Sequence, residues 1–106
     1  MQKEELVAVI DMDYQDLAME YLENRKKEFV LLQELLSKRD FAQITILAHR
    51  LKGNAKTYGF AELTDIGQDL EKFSSRQIEE DCRRLIDAYG DYVSRVKMKF
   101  VKSGVA

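Results

Sequence analysis

The chain carries no proline and only five glycines in 106 residues. A β-rich fold of this size needs many tight turns, and tight turns draw on glycine and proline for backbone conformations that other residues avoid. Helix is therefore the expected state of most of the chain. Hydrophobic residues make up 45% and charged residues 34%. That is apolar side chain enough for a core and charge enough to solvate the outer faces, which excludes a disordered chain. At this length one core is expected, and with it one domain spanning residues 1–106.

Several function classes fall away on composition. The 17 basic and 19 acidic residues give a net charge of −2, without the basic surplus that general nucleic-acid binding needs. No apolar run is long enough to span a bilayer. The charged N-terminus leads into only a short apolar run at residues 6–10, which is not a signal peptide. Cys82 has no second cysteine to pair with, as fits a reducing, cytoplasmic setting. A single histidine without a cysteine cluster argues against a structural zinc site.

Residues 6–10 read as a short extended stretch docking on the body, with Asp11 or Asp13 as a helix N-cap after it. Apolar residues then recur at Tyr14, Leu17, Ala18, Tyr21, Phe29, Leu32, Leu35 and Leu36 with helical spacing. Arg25 and Glu28 interrupt this stripe, so a bend or break is expected near residues 23–26. Asp40 with Gln43 resembles a capping box and opens a helix with Phe41, Ile44, Leu47, Ala48, Leu51, Ala55 and Tyr58 on one face, stopped by Gly59. The next helix turns Leu63, Ile66, Leu70 and Phe73 inward and starts at Phe60 without a strong cap. Ser74 with Gln77 reads as a further capping box. The last stripe runs from Ile78 through Cys82, Leu85, Ile86, Tyr89, Val93 and Val96 to Phe100, about six turns of helix, with Gly90 inside it at a cost of ~1 kcal/mol.

Helices apolar on one face and joined by short loops bury their stripes against each other. The expected fold is all-α: an antiparallel up-down four-helix bundle with a short additional N-terminal segment or helix. Residues 1–12 form that segment, 13–101 the helical body and 102–106 a short polar tail. Met1 and that tail fit a freestanding protein.

The chemistry concentrates in Ala48-His49-Arg50-Leu51-Lys52-Gly53-Asn54-Ala55-Lys56-Thr57-Tyr58-Gly59-Phe60. On a helix advancing ~100° per residue, His49 points roughly 140° from the centre of the apolar face, into solvent. Lys52, Gly53 and Lys56 share its face, and Ala42, Thr45 and Ile46 precede it there. Gly53 is costly in mid-helix and packs nothing, but a glycine one turn from a histidine clears the approach to its ring. Neutral imidazole is a nucleophile, and the lysines offset the negative charge that a phosphoryl group brings. Ile46 and Ala42 form an apolar patch suited to docking, or pack under a neighbouring helix. Gly67 borders the inner stripe and reads as a helix-packing glycine, and Cys82 as a small core residue.

His49-x-Leu51-Lys52-Gly53, then Gly59-Phe60, Leu63, Gly67, Leu70 and Glu71, resembles a histidine-containing phosphotransfer (HPt) domain. The likeness is close over the two central helices and extends to the flanking ones in length and pattern. It implies a phosphorelay carrier: His49 takes a phosphoryl group from the aspartyl phosphate of a response-regulator receiver domain and passes it to another receiver. It further implies that Lys52 stabilises the phosphate, that Gly53 gives access, and that Glu71 on the facing helix meets the imidazole, with Gln68 the weaker choice. Asn54 and Lys56 stand where relatives commonly have small residues, and Glu71 where some carry an amide.

With no ATP-binding loop, such a carrier depends on a sensor or hybrid histidine kinase upstream. It needs no cofactor of its own, the Mg²⁺ being expected on the partner receiver. A monomer is expected, since the apolar stripes are used within one bundle. The alternative reading is a non-catalytic helical module that binds or sequesters a receiver or kinase. A hydrolase ranks below both, for want of a second nucleophile–base pair.

Overall fold

The computed structural model describes residues 5–102; the expectations for residues 1–4 and for the tail beyond Lys102 lie outside them. In chain order the elements are β1 (Val7–Asp11), a 3₁₀ turn (Met12–Tyr14), α1 (Gln15–Ser37), α2 (Phe41–Asn54), a second 3₁₀ segment (Ala55–Tyr58), α3 (Ala61–Ser75), α4 (Glu79–Arg95) and β2 (Lys97–Val101). α2 packs against α1 and α3, and α4 closes the bundle between α3 and α1. The four-helix bundle is as expected, with two short strands added to it.

α1 runs unbroken through residues 23–26, because the charges within its stripe are absorbed. The Arg25 guanidinium lies over the Tyr21 ring, 4.6 Å from its centroid, and faces Glu28 at 3.7 Å. Glu28 in turn accepts a 2.7 Å hydrogen bond from the Tyr89 hydroxyl of α4. The Glu28 carboxylate and the Tyr89 hydroxyl are thereby paired. The Arg25 charge is offset by Glu28 and the Tyr21 ring, although its Nε has no hydrogen-bond partner among the described residues. This lowers the desolvation cost of carrying these groups on an inward face. Tyr14 and Leu17, read as inward, are 50% and 51% exposed. Tyr14 belongs to the 3₁₀ turn, and its stripe reaches the core only from Ala18.

Asp40 caps α2, its carboxylate accepting from the Gln43 N–H at 3.2 Å. Such a cap contributes ~1 kcal/mol. Asp11 caps the first 3₁₀ turn in the same way, from the Asp13 N–H at 2.9 Å. Gly59 ends the second 3₁₀ segment at φ 95°. The Ser74–Gln77 capping box does not form. Ser74 is buried inside α3, Gln77 has φ 57°, and α4 starts after Ile78 without a side-chain cap.

The last helix is shorter than expected. The chain leaves α4 at Val96, with φ −63° and ψ 134°, so the helical body does not extend to residue 101. β2 pairs in parallel with β1, Val7 opposite Lys97 through Asp11 opposite Val101. The extended reading of residues 6–10 therefore stands, and their partner is the other end of the chain, with the whole bundle as the crossover between the strands. Ile10 seats against Gly59, where a Cβ would come within 2.8 Å of its side chain.

The buried apolar side chains form a cluster from Ala8 and Ile10 through Leu51, Phe60 and Leu63 to Ile86 and Tyr89. Cys82 belongs to it, and burial pushes its thiol pKa up. Gly90 lies under the Phe29 ring. At Gly67 the two central helices nearly touch, and a Cβ there would stand 2.7 Å from the Lys52 backbone nitrogen and 3.0 Å from the Ala48 carbonyl oxygen. Backbone cannot move aside as a side-chain tip can. Gly67→Ala is therefore expected to destabilise by about 1–3 kcal/mol through overpacking, although helix propensity alone favours alanine by ~1 kcal/mol. Urea denaturation measures this, and an unchanged or raised midpoint would contradict it.

Candidate functional site

The contact at Gly67 sets α2 and α3 close enough for their outer side chains to meet. One turn along α3, Glu71 reaches across. Its Oε2 lies 2.6 Å from His49 Nδ1 and its Oε1 3.3 Å from Lys52 Nζ. One carboxylate thus holds two of the sequence-predicted residues, and Glu71 takes the imidazole-facing role over Gln68, which is exposed.

The His49 side chain is 71% exposed, while Glu71 is 25% exposed. Nothing lies within 4 Å of the position a Cβ would take on Gly53, so no intramolecular packing requires glycine there. The face read from helical periodicity is open, as expected.

The Glu71 pKa lies below its ordinary value. Partial burial pushes it up, but the hydrogen bonds and positive charge from His49 and Lys52 together outweigh that. An ionised carboxylate only accepts hydrogen bonds, so the ring nitrogen facing it, Nδ1, carries the proton. In the neutral ring Nε2 then keeps the lone pair, on a side chain that is largely exposed.

The other predicted residues divide. Ile46 is 44% exposed and, with Thr45, His49, Arg50 and Glu71, lines a hollow of about 330 Å³. Ala42 lines a neighbouring hollow with Phe41, Thr45 and Ser74. Thr45 lines both hollows, but its hydroxyl is engaged within the bundle. Its hydroxyl lies 2.8 Å from the Phe41 carbonyl oxygen and 2.7 Å from Ser74 Oγ, tying α2 to α3. Lys56 is not brought to His49. The helix tightens to 3₁₀ at Ala55, which changes the angle between successive side chains, and Lys56 lines a separate hollow with Val9, Asp11 and Tyr14.

Sequence reasoning missed Ser74, a buried polar residue at the α2–α3 seam, having read it as a turn. It also missed Arg50, which stands four residues after Ile46 and lines the same hollow. Asn54 is explained by α1: the Tyr21 hydroxyl hydrogen-bonds its side-chain oxygen, and burial pushes the Tyr21 pKa up to about 12, so that hydroxyl stays a donor.

The sequence model of the Hpt domain matches residues 13–99. The chain belongs to the Hpt domain family. No curated protein and no solved structure matches it at significance. Hpt domains are helical bundles that act in phosphorelay histidine phosphotransfer with receiver domains and histidine kinases. Among the described residues of this Hpt domain, no helix is long and apolar enough to cross a membrane, and no group of three or more His, Cys, Asp or Glu could hold a metal ion.

Because its pKa is lowered in the folded state, Glu71 contributes stability above the ordinary carboxylate pKa, and that contribution is lost as pH falls through the lowered value. Its size is small, about 0–1 kcal/mol for so exposed a pair. The sharper consequence concerns the proton. In Glu71→Ala, the ¹⁵N shifts of His49 are expected to move from the Nδ1–H form toward a mixture of tautomers. Unchanged shifts would show that Glu71 does not fix the ring.

Proposed function

We propose that this Hpt domain is a phosphoryl carrier in which His49 Nε2 accepts the group from a receiver aspartyl phosphate and later returns it to another receiver. The observation that carries this reading is the combination of an exposed imidazole, a carboxylate oxygen 2.6 Å from its Nδ1 and an empty approach over Gly53. In the forward step the Nε2 lone pair attacks phosphorus, the N–P bond forms, and the P–O bond to the receiver aspartate breaks, releasing its carboxylate. The ring, still protonated on Nδ1, becomes cationic. Glu71 accepts the hydrogen bond of that cation and stabilises it.

Glu71 also presents negative charge near an incoming phosphate. Lys52 offsets it, its ammonium lying 3.3 Å from the same carboxylate, and it can swing between Glu71 and a phosphoryl oxygen. The chain supplies positioning and a nucleophile. The Mg²⁺ for the reaction is assigned to the acidic site of the receiver. A monomer working in the cytoplasm, downstream of a sensor or hybrid histidine kinase, fits this role.

The test is label transfer from a phosphorylated receiver. His49→Gln is expected to abolish it while binding persists; full transfer by that variant would place the acceptor elsewhere, and binding without any label on the parent would leave only the non-catalytic module. Gly53→Gln should fold at least as well as the parent, since glutamine is the better helix former by about 0.5–1 kcal/mol and meets open space. It should transfer about 100-fold more slowly, because a reacting pair held slightly apart loses that order of rate. A folded Gly53→Gln with the parent rate would refute the access role. Lys52→Ala should be slowed through lost charge compensation, to a similar degree with every receiver.

A further inference from the structure

From Phe41 to Phe60 the chain contains no aspartate or glutamate, yet it carries Arg50, Lys52 and Lys56. A cationic stretch on a chain of net charge −2 is a local feature, and it surrounds His49. Its three charges are not equivalent. Lys52 is held by Glu71, and Lys56 lies around the 3₁₀ turn in another hollow. Arg50 shares the hollow with His49 and Ile46, and no hydrogen bond or ion pair engages it among the described residues.

We propose that Arg50 is a specificity-determining residue, selecting among receiver domains by pairing with a carboxylate that lies beside an apolar contact on Ile46. The inference rests on the phosphotransfer reading and names which side chain chooses the partner. Guanidinium presents a planar fork that matches a carboxylate in two hydrogen bonds, so it discriminates by geometry as well as charge. Ile46, 44% exposed one turn before it, supplies the apolar area that excludes water from such a pair. A partner whose facing surface is acidic with an apolar knob fits this strip, and one with a lysine at that place meets like charge.

The experiment measures phosphotransfer from a panel of phosphorylated receivers to the parent, Arg50→Lys, Arg50→Gln and Arg50→Glu, with phosphoramidate as a small donor alongside. Phosphoramidate transfers its phosphoryl group to imidazole and releases ammonia, without a docking surface. If it fails to label His49 of the parent, the phosphotransfer reading falls and this inference with it. With His49 labelled, the expected result is that Arg50→Glu raises KM for cognate receivers at least about tenfold, far more than it slows labelling by phosphoramidate. Arg50→Lys should lie between, and a receiver with its facing carboxylate changed to lysine should regain transfer with Arg50→Glu. Rising salt should slow the parent more than Arg50→Gln. Equal losses with receivers and phosphoramidate would place Arg50 in the chemistry instead, and parental receiver preference in both Arg50→Gln and Arg50→Glu would overturn the proposal.

Discussion

The site depends on the close approach of α2 and α3 at Gly67. A methyl group there would sit 2.7 Å from the backbone of Lys52, so the separation of the helices is set by the absence of a side chain. That separation lets a carboxylate as short as Glu71 span from α3 to both His49 and Lys52. The Thr45–Ser74 hydroxyl pair, at 2.7 Å, fixes the same seam further along. Core packing and site geometry are thus one constraint, and the residue that satisfies it is not a member of the reacting group.

Around that seam the polar groups divide by function. In the interior, Tyr89, Glu28, Arg25, Tyr21 and Asn54 link α4 through α1 to the end of α2, so that a long helix with charged residues on its inner face stays unbroken. At the surface, Glu71 neutralises Lys52 and holds the Nδ1 proton, leaving Nε2 and the guanidinium of Arg50 turned outward. The first set fixes the position of α2; the second is what an approaching protein meets. The parallel pairing of β1 with β2 joins residues 7–11 to 97–101 and seats Ile10 against Gly59, where the chain turns from α2 toward α3.

Much of this was legible in the sequence, and for definite reasons. α2 keeps one helical period from Phe41 to Asn54, so the exposure of His49 and the openness at Gly53 followed from angle alone, and Gly67 declared itself by bordering an apolar stripe. Failures came where the period changed. At Ala55 the helix tightens, and Lys56 swings off the His49 face. At Val96 the apolar residues 96, 98 and 100 alternate with Lys97 and Lys99, which is a strand signal, but Val93, Val96 and Phe100 also fit a helix, and the pattern was read with the longer element. The partner of β2 lies some ninety residues earlier, a pairing that no local pattern announces. Arg25 and Glu28 suggested a break because their partners sit on other parts of the fold, and Ser74 was hidden because its hydroxyl is satisfied by another helix.

The central claim is that Glu71 keeps the proton on Nδ1 so that Nε2 is the phosphoryl acceptor. The most direct measurement is ¹⁵N–³¹P correlation NMR of the protein after phosphorylation by a receiver. A single phosphorus coupled to Nε2 of His49, with Nδ1 still protonated, is the expected result. Phosphorus on Nδ1, or on any other residue, would contradict the account.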